Sequence, residues 1–164
     1  MDDLGTSVGM SGPALYRYFP GKEAILSAML IDISDRLLAG GLQRVAEHHN
    51  AHERLDSLVD FHVDFALDDP HLIDVQAREL DAMTQEDQRT VRRLQAQYVT
   101  LWVDTIRDVW PQVSSEAGRA AAHAVFGLIN STPHSARLAR PRMSQLLKGM
   151  ASAAIAASVL PESS

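Results

Sequence analysis

Apolar side chains recur through most of the chain at spacings of three and four residues, so each segment turns one apolar stripe to a core and polar residues elsewhere. The spacing predicts a long helix over residues 22–48. A second, over 52–67, carries Leu55, Leu58, Val59, His62 and Ala66 on one stripe, with Phe61 and Phe65 on the neighbouring one. A shorter helix is predicted over 71–83. Thr84 then reads as an N-cap, with Glu86 and Asp87 in the first turn where acids suit the helix dipole. The helix it opens extends to residue 110 and aligns Val91, Leu94, Tyr98, Leu101, Trp102, Thr105 and Val109 on one face. Ser114, Ser115 and Glu116 open another, to residue 131, and a last helix is predicted over 141–160. Seven prolines fall at or between the ends of these segments. Nothing alternates with period two over a useful length, and no hairpin dipeptide stands between β-branched runs. The expected fold class is all-α.

The last two helices differ in texture from the rest. Ala120, Ala121, Ala124, Val125, Leu128 and Ile129 in one, and Met143, Leu146, Leu147, Met150, Ala153, Ala154 and Ala157 in the other, make broad faces of small side chains. Small side chains let helix axes approach closely. Two such helices per chain can form a four-helix interface with a second copy, through Ala121, Ala124, Val125, Leu128, Leu147, Met150, Ala154 and Ala157. An ordinary intramolecular core is the competing reading.

Composition narrows the class. At 164 residues, 46% of them hydrophobic and 22% charged, the chain can bury a core and is not disordered. It has no cysteine, which excludes a disulfide scaffold, thiolate metal sites and cysteine nucleophiles. The start, Met1-Asp2-Asp3-Leu4, lacks a basic-then-apolar signal region. The two longest charge-free runs, between Arg119 and Arg137 and between Lys148 and Glu162, are interrupted by polar residues or short and alanine-rich, so neither reads as a membrane span. A cytoplasmic protein with no membrane partner is expected. A net charge of −6 argues against broad nonspecific nucleic-acid binding but leaves room for a small, local DNA-reading element. Arginine outnumbers lysine 13 to 2, so anion recognition would rest on forked guanidinium donors.

Such an element stands near the start, in Leu4-Gly5-Thr6-Ser7-Val8-Gly9-Met10-Ser11-Gly12-Pro13-Ala14-Leu15-Tyr16-Arg17-Tyr18-Phe19-Pro20-Gly21-Lys22-Glu23. A helix ends at Gly9, which can take the left-handed conformation. Met10 is the hinge, Ser11 caps the next helix, and Pro13 sits in its first turn, where a missing N–H does no harm. Leu15 and Phe19 face inward together, while Tyr16 and Tyr18 face out. Helix, short glycine turn, helix is a helix-turn-helix. Between Asp3 and Glu23 the only charges are Arg17 and Lys22, a basic spot on an acidic chain.

This segment resembles the DNA-binding signature of the TetR family of bacterial transcriptional regulators. Gly9-Met10-Ser11, Leu15-Tyr16-Arg17-Tyr18-Phe19 and Lys22-Glu23 followed by Ile25-Leu26 carry the likeness over roughly twenty residues, and the remaining helices agree in layout. The resemblance implies that Ser11, Gly12, Pro13 and Ala14 lie at the groove-facing end of a recognition helix. It implies phosphate contacts for Tyr16 and Tyr18, a charge contact for Lys22, and a place for Arg17 in the same patch. Tyr18 departs from the histidine common in the family. Family members also carry a complete first helix and the start of the second ahead of this motif, and this chain starts inside the second. Leu4, Val8, Leu15 and Ile25 would then lack an apolar partner, a loss of several kcal/mol at about 25 cal/mol per Å². The expectation is a truncated or mis-started version of a longer regulator. The alternative is an all-helical ligand-binding and dimerisation module without DNA activity.

The same resemblance divides the chain into an incomplete DNA-binding part with its connecting helix, residues 1–48, and a ligand-binding and dimerisation part, residues 49–164. It implies a homodimer on an inverted-repeat DNA operator, acting as a repressor released by a small, largely apolar effector. Candidate pocket residues are Phe61, Phe65, Met83, Leu94, Tyr98, Trp102 and Phe126, with Arg78, Glu79 and Asn130 as polar members. Tyr98 and Trp102 are one turn apart and each brings a polar atom that needs a partner. An acyl, aromatic or steroid-like compound suits that mixture. Other constellations are weaker. His48 and His52 have a chelating spacing but sit at a helix end without supporting carboxylates, so no metal is expected. Asp68-Asp69 before Pro70 reads as turn chemistry, and Gly9-Met10-Ser11-Gly12 is no nucleophile elbow. Arg137, Arg140, Arg142 and Lys148 make a run of four positive charges without an acid, read as a solvated linker. No catalytic constellation and no cofactor are expected.

Overall fold

A 25-residue helix, α1 (Lys22–Ala46), runs along one side of the molecule and buries Ile25, Leu26, Met29, Leu30, Ile33, Leu37 and Gly41 on one stripe. The computed structural model describes residues 21–70, 80, 83–131 and 138–159. Four further helices follow: α2 (Ala51–Asp68), α3 (Gln85–Val109), α4 (Ser115–Ser131) and α5 (Arg140–Ser158). No strand occurs among the described residues. All five helices begin and end within two residues of the spans expected from periodicity. The expected helix that ends at Gly9 and the one that Ser11 opens lie outside the described residues, as does the one over 71–83 apart from Leu80 and Met83.

Local chemistry sets the helix starts. Thr84 caps α3 as expected: its hydroxyl accepts from Asp87 N at 3.2 Å and donates to the Asp87 carboxylate at 2.9 Å. Asn50 caps α2, its side-chain oxygen accepting from His52 N at 2.8 Å and Glu53 N at 3.3 Å. The His48-to-His52 stretch is therefore a capped helix start, and among the described residues no group of three or more potential ligands could hold a metal. Ser114 Oγ accepts from Ala117 N at 3.1 Å, and Pro141 occupies the first turn of α5.

Packing is sequential and then closes on itself. α1 lies against α3 and α2, α4 against α3 and α5, and α5 returns to α2. Trp102, Leu30, Leu58, Ile106, Ile129, Leu147 and Ile155 are fully buried where these faces meet. The approach of α1 is close because it carries two glycines side by side. A β-carbon at Gly40 would collide with the Phe61 ring, and one at Gly41 would sit 2.8 Å from Tyr98 Cε2 and 3.0 Å from Leu101 Cδ2.

The basic segment expected as a solvated linker is instead partly tied down. Arg140 donates to Asp68 at 2.9 and 2.5 Å and lies 3.8 Å from Asp64, and Lys148 lies 3.2 Å from Asp60. Asp60, Asp64 and Asp68 are four residues apart, so one face of α2 offers a line of carboxylates to α5. Asp69 pairs with Arg36 of α1 at 3.6 Å. These pairs are exposed and define register more than stability. Arg142 is exposed and Arg137 lies outside the described residues.

Candidate functional site

A cavity of about 180 Å³ lies where α1, α2, α3 and α4 come together. Each helix presents its buried stripe there, and each stripe carries a polar or aromatic residue among its aliphatic ones. Ser34 and Leu37 come from α1, His62 from α2, Gln95, Tyr98 and Val99 from α3, and His123, Phe126 and Asn130 from α4.

Its polar centre is a three-residue relay. His62 is 4% exposed, with Nδ1 3.1 Å from the Tyr98 hydroxyl and Nε2 3.2 Å from Asn130 Oδ1. An amide oxygen only accepts, so Nε2 carries the proton. Nδ1 is then the acceptor, and the Tyr98 hydroxyl donates to it. One neutral tautomer satisfies both contacts. Burial lowers the His62 pKa from 6.5 to about 4, with the Asn130 contact opposing the shift, and burial raises that of the Tyr98 hydroxyl. The imidazole is therefore neutral at physiological pH.

Rings build the rest of the wall. His62 and Phe126 stack at 4.8 Å, while Tyr98 and Phe126 stack at 5.8 Å with planes 10° apart. Trp102 stands behind them, edge-on to His62 at 5.8 Å and to Phe126 at 5.1 Å. Its indole N–H is buried and makes no hydrogen bond of acceptable geometry, and its proximity to Tyr98 opposes, without reversing, the rise in that hydroxyl's pKa that burial causes. A fully buried Trp102 fixes the tilt of the ring stack from the core side.

The expected pocket residues divide accordingly. Tyr98, Phe126 and Asn130 line the cavity; Trp102 supports it without lining it. Phe61 packs over Gly40, Phe65 is buried under Arg36, and Met83 and Leu94 are buried away from the cavity. Arg78 and Glu79 lie outside the described residues. Six lining residues are not among the sequence candidates: Ser34, Leu37, His62, Gln95, Val99 and His123. A histidine in an otherwise apolar stripe is the available signal, because a buried imidazole must find partners.

The small-residue faces divide in the same way. Ala121, Val125 and Leu147 are buried within the chain itself, at 6%, 1% and 0% exposure, so they belong to its own core. Ala124, Met150 and Ala157 are exposed, and Leu128 and Ala154 are half-buried. Of the expected DNA-contacting residues, Lys22 is exposed at the first position of α1. Ser11, Gly12, Pro13, Ala14, Tyr16, Arg17 and Tyr18 lie outside the described residues.

Residues 48–134, just over half of the chain, match the tetracyclin repressor-like C-terminal domain, and residues 1–29 match the tetR family of bacterial regulatory proteins. The chain belongs to the TetR family. It is therefore a transcriptional regulator, of a family that binds DNA operators through a helix-turn-helix and is not enzymatic. Solved TetR-family structures share its fold. The regulator PfmR from Thermus thermophilus is 17% identical with a TM-score of 0.73, covering 94% of this chain and 86% of its own. A regulator from Bordetella parapertussis is 19% identical with a TM-score of 0.75, over 92% and 81%. One from Rhodococcus is 18% identical with a TM-score of 0.74, over 96% and 85%. No curated protein matches the chain. Among the described residues no helix is long and apolar enough to cross a membrane.

Proposed function

We propose that this TetR-family regulator is a homodimeric repressor whose grip on an inverted-repeat operator is relieved when a small, largely apolar effector occupies the four-helix cavity. The observation that carries this reading is the course of α1. The same helix begins at Lys22, beside the DNA-reading segment, and forms one wall of the cavity with Ser34 and Leu37. Ser34 lies twelve helical steps beyond Lys22, about 18 Å at 1.5 Å per residue. A rigid rod of that length transmits a tilt imposed at one end to the other. An effector that pushes Ser34 and Leu37 outward thereby changes the spacing of the two recognition helices of a dimer.

In this reading Ser11, Gly12, Pro13 and Ala14 face base edges, while Tyr16, Arg17, Tyr18 and Lys22 hold phosphates. The division of labour is testable on a DNA site recovered by in-vitro selection with the full chain. Lys22→Ala should weaken binding to every sequence alike and reduce the salt slope by about one unit. Ser11→Ala should change which base pairs are preferred. Retardation assays at fixed salt read both effects. Failure of the full chain to enrich any inverted repeat would remove the repressor reading.

A further inference from the structure

We infer that the four-helix cavity takes a small, uncharged molecule built on a single ring and bearing one hydrogen-bond acceptor, such as an aromatic amide or alcohol. The inference deepens the effector reading and rests on it for its biological role. Volume sets the size. An apolar cavity of about 150 Å³ accepts benzene, and at about 180 Å³ this one has room for a ring and a short substituent. A fused four-ring skeleton does not fit unless the helices part. The ring faces of Phe126, Tyr98 and His62, within 26° of parallel, favour a flat occupant over a flexible acyl chain.

The polar groups set the charge. Both His62 nitrogens are engaged within the wall, and the Tyr98 hydroxyl donates to His62. Gln95 is half-buried, and its amide makes no hydrogen bond among the described residues. Asn130 gives its oxygen to His62 and keeps its N–H₂ for another partner. Amide N–H groups call for an acceptor on the ligand. Among the described residues no carboxylate, lysine or arginine lines the cavity. The second histidine of the lining, His123, is exposed, so an ionised ligand would leave water there without a buried counter-charge, at a large cost in affinity.

Calorimetric titration of the full chain at neutral pH with benzamide, benzyl alcohol, benzoate and benzylammonium tests the inference. Benzamide and benzyl alcohol should bind about tenfold or more tightly than the two ions, which match them in size. Gln95→Leu should weaken benzamide about fivefold to tenfold, as expected for one lost hydrogen bond, and should weaken toluene less. Equal binding of benzoate or benzylammonium would overturn the inference, as would absence of binding by both neutral compounds. The selected DNA site separates the two readings. Benzamide that binds without releasing DNA upholds the ligand chemistry and overturns the effector role. Release of DNA by benzoate as readily as by benzamide upholds the role and overturns the chemistry.

Discussion

His62 shows how one residue can tie a site to the stability of the fold. In the folded protein its pKa is about 4, against 6.5 for an unperturbed imidazole. Between those values the unfolded chain binds a proton that the folded one refuses. Stability therefore rises with pH across this window: the neutral relay's contribution is complete above about pH 6.5 and is lost as pH falls toward 4. Going from pH 7 to pH 5 should cost about 2 kcal/mol through this residue alone. Urea titrations of the wild type and of His62→Gln at both pH values measure it. The variant should be less stable at pH 7, because Tyr98 and Asn130 lose their partner, and should show a shallower loss on acidification. Equal pH slopes would mean that the imidazole is not held neutral by burial.

At the scale of elements, helical periodicity is legible because burial writes it directly: a residue in the wrong register would expose an apolar side chain or bury a charge. What periodicity does not carry is which stripes meet. Tyr98, Phe126 and Asn130 can be picked out as pocket residues because rings with polar atoms stand out against an aliphatic background. Ser34 and Leu37 cannot, since nothing local distinguishes a cavity wall from a connecting helix. Likewise the carboxylates at 60, 64 and 68 have a meaning only once α5 lies beside α2. Gly40 and Gly41 are the element-level clue to this packing, two poor helix formers inside a 25-residue helix. Gly41→Ala gains about 1 kcal/mol of helix propensity. It also forces the buried Tyr98 and its neighbour Leu101 to give way, an overpacking cost of about 1–3 kcal/mol. The expected result is a net loss of about 1 kcal/mol in thermal or urea unfolding, with the Tyr98 ring displaced into the cavity and benzamide affinity reduced. A stabilised variant would show that α1 and α3 can part at no cost, which the rod-like role proposed for α1 does not allow.

For the whole molecule, the question is what covers the outer face of α4 and α5. Leu146 and Met150 are 44% and 46% exposed beside the small residues Ala124, Ala153 and Ala157, while the inner faces of the same helices hold the core through Ala121, Val125, Leu147 and Ile155. A face of this kind, apolar and free of charge from Gly149 to the end of α5, suits a second copy related by a two-fold axis, which places identical helices against each other. Small side chains make both faces, so the residue pattern alone merges them; burial separates them. It follows that a test of the dimer must use the outer positions. Met150→Glu and Ala124→Glu place a charge where the protomer itself has no use for the side chain, so circular dichroism should show the helices unchanged. Ultracentrifugation should then show the monomer mass for both variants against a dimer for the wild type. Because an inverted repeat is read by two linked helix-turn-helix units, the monomeric variants should also bind a full operator no more tightly than a half-site. A dimer mass retained by both variants would move the interface off α4 and α5, and with it the proposed route by which a tilt of α1 becomes a change in recognition-helix spacing.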